Sequence, residues 1–313
     1  MASRSRDLTA SHPILGVTQE GVAFDVPKGS CDCHVHVFGP VDRFPYASAR
    51  PYTPANASLA DLSELHEQLG IQRVVIVQPS PYGDDNRCLL SALYLLGTRA
   101  RGIVVLDPRS DGSSLSEMHA AGVRGARLNL QIRGIENAAT AREEFRRLAD
   151  LAGGRNWHIQ IFSNLTMFAT LADTIAQESL PPVVVDHFCL VDARRGTNQP
   201  GFDELVALIR IGKVWIKLSS PQRISNDPDG SDVESIARTL ISANPSRILW
   251  GTDWPHPGPW PGTARDPSEI EPFHPFDDGH ALNRLWRWTE RRDLLQKILV
   301  DNPSRLYGFV PDR

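Results

Sequence analysis

The chain has 313 residues, 41% hydrophobic and 22% charged, the proportions of an ordinary soluble globular protein with enough apolar residues for a large core. A formal net charge of -4 offers no electrostatic attraction to nucleic acid or to an anionic membrane, so any anionic ligand has to be held by local arginines. Four cysteines, at 31, 33, 88 and 189, are too few for a disulfide-stapled fold, no apolar run is long enough for a membrane span, and the polar N-terminus lacks a signal-peptide core. These features predict a soluble cytoplasmic protein, a monomer or a small homo-oligomer.

A polar N-terminal arm is expected over 1–28, followed by one domain over 29–313. Eight apolar, β-branched runs recur: CDCHVHVF at 31–38, RVVIVQP at 73–79, RGIVVLD at 101–107, RGARLN at 124–129, HIQIFS at 158–163, PVVVDHF at 182–188, VWIKLS at 214–219 and RILWGTDWP at 247–255. Near-continuous runs of this kind suit strands covered on both faces, as a parallel sheet requires. Between them lie segments of helical period at 58–70, 87–98, 113–121, 139–152, 165–179, 202–211 and 232–243. The first opens on Ser58, carries leucines at 59, 62, 65 and 69, and stops at Gly70, the punctuation of a capped helix. Strand and helix in repeated alternation predict an α/β fold, a single closed (β/α)8 TIM barrel, rather than an open doubly wound sheet. The Pro- and Gly-rich stretch 255–267 reads as a loop after the eighth strand, and 255–280 as either a lid over the site or a subunit contact.

Catalytic groups in such a barrel gather at the C-terminal ends of the strands. On the first run a strict period of two places Asp32, His34 and His36 on the inner face and sends Cys31, Cys33, Val35 and Val37 outward under the helices. The sixth run ends in Asp186 and His187 and the eighth in Asp253, so three histidines and an aspartate are expected at one mouth. His158 begins the fifth run and is expected at the barrel floor, with Arg124 likewise away from the mouth. Arg127 near the end of the fourth run, Arg133 six residues on and Arg223 just beyond the seventh run are expected to form a clamp for a small polyanion, because guanidinium forks match carboxylates in two-point geometry. Tyr52, Gln78 and Ser80 are further candidates for substrate contact, whereas Lys217, within the seventh run, has no assigned role.

HVH on the first run, a histidine ending the sixth and GTDWP ending the eighth resemble the amidohydrolase superfamily. The contexts CDCHVHVFGP, FPY, RPYTP, GVRGARLN and WGTDWPHP, spread over residues 28–310, resemble within it the family of 2-pyrone-4,6-dicarboxylate lactonases. The resemblance implies a hydrolase that opens the lactone ring of a small anionic substrate in aromatic-compound catabolism. Asp253 is then the base that activates water, while His34, His36 and His187 donate to the developing oxyanion. Many members of the superfamily hold a metal with the HxH pair, a histidine ending the fifth strand and the eighth-strand aspartate, and bridge a second ion from the fourth strand. Here the fourth run offers no lysine or acid and the fifth ends in Phe162 and Ser163, which favours catalysis without a cofactor. A single zinc or manganese, if held, would use His34, His36, His187 and Asp253. No GxSxG nucleophile elbow is present. The rival readings are a metal-dependent lactonase acting on a sulfomuconolactone or a sugar-acid lactone, a metal-dependent decarboxylase, and a non-enzymatic barrel that binds dicarboxylates.

Overall fold

Eight strands, β1 (Cys31–Val35), β2 (Arg73–Val77), β3 (Ala100–Val104), β4 (Val123–Asn129), β5 (His158–Phe162), β6 (Val183–Val185), β7 (Val214–Ser219) and β8 (Ile248–Gly251), pair in chain order and in parallel. The computed structural model from which this is read describes residues 16–107, 109–177, 179–227, 230–259 and 263–310. The ring closes where β1 meets the chain after β8. There the Asp253 N–H donates to the His34 carbonyl and the His36 N–H to the Trp254 carbonyl, both at 2.8 Å. The result is the (β/α)8 barrel that the alternation of runs predicts.

Helices α1 (Leu59–Leu69), α2 (Arg87–Leu96), α3 (Gly112–Ala120), α4 (Ala138–Ala152), α5 (Leu165–Ala169), α6 (Ala172–Gln177), α7 (Phe202–Arg210), α8 (Glu234–Ala243) and α9 (Asp278–Thr289) lie outside the strands. At the start of α1 the Ser58 hydroxyl accepts from the Asp61 N–H and the Asp61 carboxylate accepts from the Ser58 N–H, the capping box its sequence predicts. The segment 165–179 forms two short helices rather than one, and Thr170 at the break donates its hydroxyl back to the Met167 carbonyl. Leu62, Leu65, Ile159, Ile161, Leu205 and Ile216 belong to the core between strands and helices. A separate inner layer of Cys31, Cys33, Val75, Val77, Ile103, Val184, Trp215 and Leu249 is closed below by Tyr307 and Phe309.

The strict alternation expected for the first strand fails. Cys31 and Cys33 lie in the inner layer, not under the helices, and Asp32 points outward to His66 of α1 at 3.3 Å. The register of β1 against β2 shifts between Asp32 and Val35, a bulge that turns Cys33 and His34 inward in succession before Val35 rejoins the outer core. Asp32 pins this bulge: its Oδ1 accepts from the N–H of His34 (3.1 Å) and of Thr252 (3.0 Å), and its Oδ2 from the Thr252 hydroxyl (2.6 Å). Gly251 permits the close approach, since a Cβ there would stand 2.7 Å from the His34 nitrogen. The histidines therefore reach the interior through a local irregularity that a period of two cannot register.

Residues from 16 to 28, expected as part of a separate arm, lie against the barrel domain, and the stretch up to Phe24 runs along α9. The Ala23 N–H donates to Asn283 Oδ1 (2.8 Å), the Asp278 N–H to Gln19 Oε1 (2.7 Å), and Phe24 stacks on Trp286 at 5.8 Å. The remainder of that expected arm, 1–15, lies outside the described residues, as do 260–262 of the expected loop. No helix among the described residues is long and apolar enough to cross a membrane.

Candidate active site

Two irregular strand ends aim the site. After β6, residues His187 to Leu190 all take left-handed backbone, with φ of 48°, 53°, 58° and 45°, at a cost of about 1 kcal/mol or more per residue. The burial of Phe188 and Cys189 in the outer core holds this turn, which leaves Asp186 and His187 in the site. After β8, Asp253 is likewise left-handed, with φ of 68°. Strained backbone of this kind persists where the surrounding fold over-determines it.

The Nε2 atoms of His36, His34 and His187 stand 3.5, 3.6 and 3.7 Å from one oxygen, Asp253 Oδ1. The other oxygen, Oδ2, accepts from the Ser220 hydroxyl (2.6 Å) and from Arg223 Nε (3.0 Å) and Nη2 (2.7 Å). The four residues singled out from strand ends thus form one cluster, and it is buried. Beneath it lies a web that the sequence reading did not assign. Lys217 Nζ sits 2.7 Å from Gln160 Oε1 and 3.2 Å from both Asp186 Oδ1 and His34 Nδ1, and Gln160 Nε2 donates to Asp186 Oδ2 at 3.0 Å.

Burial opposes ionisation of Asp253, but Arg223 and then His187 beside it hold its carboxyl well below the usual range. Asp186 is governed in the same way: burial acts against its charge, and Lys217 and His34 overcome it. His34 is depressed to about 3 by burial and then by the Lys217 charge, and burial pushes His187 well down. At neutral pH the cluster therefore combines ionised carboxylates with neutral His34 and His187.

The tautomers differ in what they permit. His36 Nδ1 lies 2.8 Å from the Val77 carbonyl, which can only accept, so a neutral His36 carries its proton on Nδ1 and a lone pair on Nε2. His36 in that form cannot donate to an oxyanion, contrary to the role expected for it. His187 Nδ1 meets the Ser219 hydroxyl at 2.9 Å and His34 Nδ1 meets both Asp186 and Lys217, so either tautomer suits those two. His34 Nε2 and Asp253 Oδ1 are buried without a hydrogen-bond partner. One ligand atom each from His34, His187 and Asp253 lies within 4.8 Å of the others. Imidazole nitrogens and a carboxylate oxygen facing one another at 3.5 to 3.7 Å suit a single divalent cation, so the donor set fits one of the zinc or manganese type.

Above the cluster opens a cavity of about 530 Å³ bounded by Phe162, Arg223, His256, Pro257, Arg265 and His274. Its neck is lined by Tyr52, Ser80, Arg127, His36, His187 and Asp253. Arg127 is buried, donates from Nη1 to the Gln78 carbonyl (2.9 Å) and leaves Nε unpartnered. Tyr52 is buried and Ser80 accepts from the Asn129 amide at 3.0 Å. Two expectations are corrected. Gln78 does not line the cavity: its side-chain amide donates to the Gly83 and Asp85 carbonyls, so it serves the site through its backbone. Arg133 is half exposed and pairs with Glu144 of α4 at 3.2 Å, because the turn after β4 carries it past the rim. His158 and Arg124 lie away from the mouth as expected, His158 edge-on to Tyr307 at 5.3 Å and Arg124 donating to the His119 and Val123 carbonyls.

The segment after β8 forms part of the cavity wall and brings in Arg265 and His256, neither of which sequence reasoning found. His256 Nε2 is 3.1 Å from the Asp278 carboxylate. Nothing in a Pro-rich loop indicates which side chain turns inward. Lys217 had a readable signal, since it alternates in register with Ile216 and Leu218 of the outer core.

Fold and site together define a barrel of the enzyme type that gathers its catalytic groups, here histidines and an aspartate, at the C-terminal face. Residues 31–309 match the model of the Amidohydrolase family (Amidohydro_2), and the chain belongs to that family. It is 36% identical over 289 residues to a 4-sulfomuconolactone hydrolase of Hydrogenophaga intermedia, covering 92% of this chain and 91% of that one. A 2-pyrone-4,6-dicarboxylate hydrolase of Comamonas testosteroni is 36% identical over 295 residues, 91% of this chain and 92% of the relative. Among solved structures, one from Pseudomonas putida assigned as a 2-pyrone-4,6-dicarboxylic acid hydrolase superposes with a TM-score of 0.76 at 32% identity, covering 92% of this chain and 100% of that one.

Proposed function

We propose that this chain is a cytoplasmic enzyme of aromatic-compound breakdown. It hydrolyses the ring ester of a small lactone bearing acidic groups, 2-pyrone-4,6-dicarboxylate or a close analogue such as a sulfonated muconolactone. The observation that carries the reading is Asp253 Oδ1, buried and unpartnered among three imidazole Nε2 atoms, below a cavity whose neck holds the buried guanidinium of Arg127. Its relatives' names point the same way.

Water between Asp253 Oδ1 and the ring carbonyl yields one proton to the carboxylate as its oxygen attacks. The tetrahedral intermediate collapses by breaking the ring C–O bond, and Asp253 returns the proton to the departing enol oxygen, leaving a ring-opened product with one more carboxyl group. Arg223 spends two donors on Oδ2, which fixes the carboxylate rotation and keeps Oδ1 as the basic oxygen. His34 and His187, protonated on Nε2, and Arg127 meet the developing oxyanion. In that tautomer His34 Nδ1 accepts from Lys217, 3.2 Å away. A divalent cation held by His34, His36, His187 and Asp253 would, when bound, polarise the ring carbonyl as a Lewis acid.

The test adds 2-pyrone-4,6-dicarboxylate, and separately a sulfomuconolactone, to metal-analysed and chelator-treated protein and follows ultraviolet absorbance. Turnover by metal-free protein supports catalysis by the side chains alone, and turnover only after zinc or manganese is restored assigns the cation a role. No turnover in either state on either lactone overturns the proposal. Asp253→Asn is expected to lower kcat about 10³-fold with the far-ultraviolet circular dichroism unchanged; near-full activity would remove Asp253 as the base.

A further inference from the structure

We propose that the third guanidinium of the substrate clamp is Arg265, set against Glu271 on the rim, and that this pair makes the site select lactones carrying a second anionic group away from the ring ester. The inference rests on the lactone-hydrolase reading and gives it a substrate class. Arg133, expected in that place, is half exposed and pairs with Glu144 at 3.2 Å. Arg265 instead borders both the cavity and its neck.

Arg265 is part of a built structure. Its guanidinium lies over the Tyr52 ring at 4.2 Å. Ile270 and Glu271 pair with Thr53 and Pro54 as a short parallel ladder, and the Thr53 hydroxyl (2.5 Å) and Arg50 (3.0 Å) both donate to the Pro267 carbonyl. Tyr52, Arg265 and Glu271 are thereby fastened into one wall. Glu271 accepts from Arg265 Nε at 2.8 Å and Nη2 at 2.9 Å, leaving Nη1 without a partner among the described residues. The two side chains are 18% and 13% exposed, which limits screening by solvent.

Tyr52, Arg127, Arg223 and Arg265 line the same neck. A carboxylate or sulfonate beside Tyr52 would meet all three guanidiniums, but Arg223 is already balanced by Asp253 at 2.7 Å and Arg265 by Glu271. The two members of the rim pair must then act in opposite directions on an anionic ligand. Loss of the cation weakens binding. Loss of the Glu271 charge, with the side-chain shape kept, strengthens it. A pair that merely held the loop would give weaker binding in both cases.

The experiment uses benzene-1,3-dicarboxylate, planar and not hydrolysable, and benzoate as its mono-anionic counterpart, titrated calorimetrically into the full chain. Arg265→Met is expected to weaken the dicarboxylate about tenfold or more, within the range of one charged hydrogen bond, and to leave benzoate within about twofold. Glu271→Gln is expected to tighten the dicarboxylate, and Arg265→Lys to fall between wild type and Arg265→Met. Each variant is first matched to wild type in melting temperature, so that a folding defect is read separately. Equal weakening of both ligands by Arg265→Met, weakening by Glu271→Gln, or a wild type that does not bind the dicarboxylate at millimolar concentration overturns the clamp. The dicarboxylate pattern without lactone turnover would overturn the hydrolase reading and leave the clamp standing. Turnover with KM unchanged in Arg265→Met would do the reverse.

Discussion

His158 lies fully buried at the barrel floor, edge-on to Tyr307, and burial followed by the Lys217 charge lowers it to about 3. In the unfolded chain its value returns to about 6.5. Below that pH the unfolded state binds a proton that the folded state refuses, so stability falls as pH drops from about 6.5 toward 3, by roughly 1.4 kcal/mol per pH unit for each such group. His34 shares the value and the sign. His158→Leu should therefore remove one proton from the acid dependence of urea unfolding between about pH 6 and 4, and a slope identical to wild type would show that His158 is not held neutral. At this scale the sequence was informative about residue types and poor about their states. It placed His34, His36, His187 and Asp253 together, but that a neutral His36 bears its proton on Nδ1 follows from the Val77 carbonyl, forty-one positions along the chain, a neighbour no local pattern identifies.

Strand β1 shows how an element can deliver the right residues for a reason other than the expected one. Alternation was to bring in Asp32, His34 and His36, yet Asp32 lies outside as the acceptor that fixes the bulge, and both cysteines lie inside. The position of His34 then depends on the fit of β1 against Gly251. Gly251→Ala should push the strands apart, cost about 1–3 kcal/mol in stability and lower kcat by at least about tenfold. Full activity in that variant would mean that the contact does not position His34. Asp32→Ala removes four hydrogen bonds to a buried carboxylate and should destabilise by about 3 kcal/mol or more, measured by chemical denaturation. The helices were more legible, since α1 begins and ends on the cap residues read from its sequence. Segment 165–179 was not, because its break at Thr170 is local hydrogen bonding rather than a change of apolar period.

Across the whole molecule, residues 16–28 lie on the barrel domain's surface. Asn283 of α9 accepts from Ala23 and donates to Glu20 and Gly21, and Phe24 covers Trp286, so deletion of residues 1–26 should lower the melting temperature by several degrees, corresponding to about 2 kcal/mol or more. An unchanged melting temperature would show that the segment contributes no net stability. The sequence by itself determined the barrel, because eight runs buried on both faces and separated by capped amphipathic segments have few other ways to bury their apolar surface. It also determined which strand ends supply Asp253 and the three histidines, because the C-terminal rim is where such a barrel exposes polar ends. Only the tertiary structure decided which arginines line the cavity and its neck. Arg127 and Arg223 sit next to strand ends and stay at the mouth, whereas Arg133 and Arg265 lie on loops whose direction is set by their partners, Glu144 for one and nearby Glu271 with the distant Tyr52 for the other. A loop side chain points where its partners hold it, and a partner as far along the chain as Tyr52 is from Arg265 becomes a neighbour only when the barrel closes.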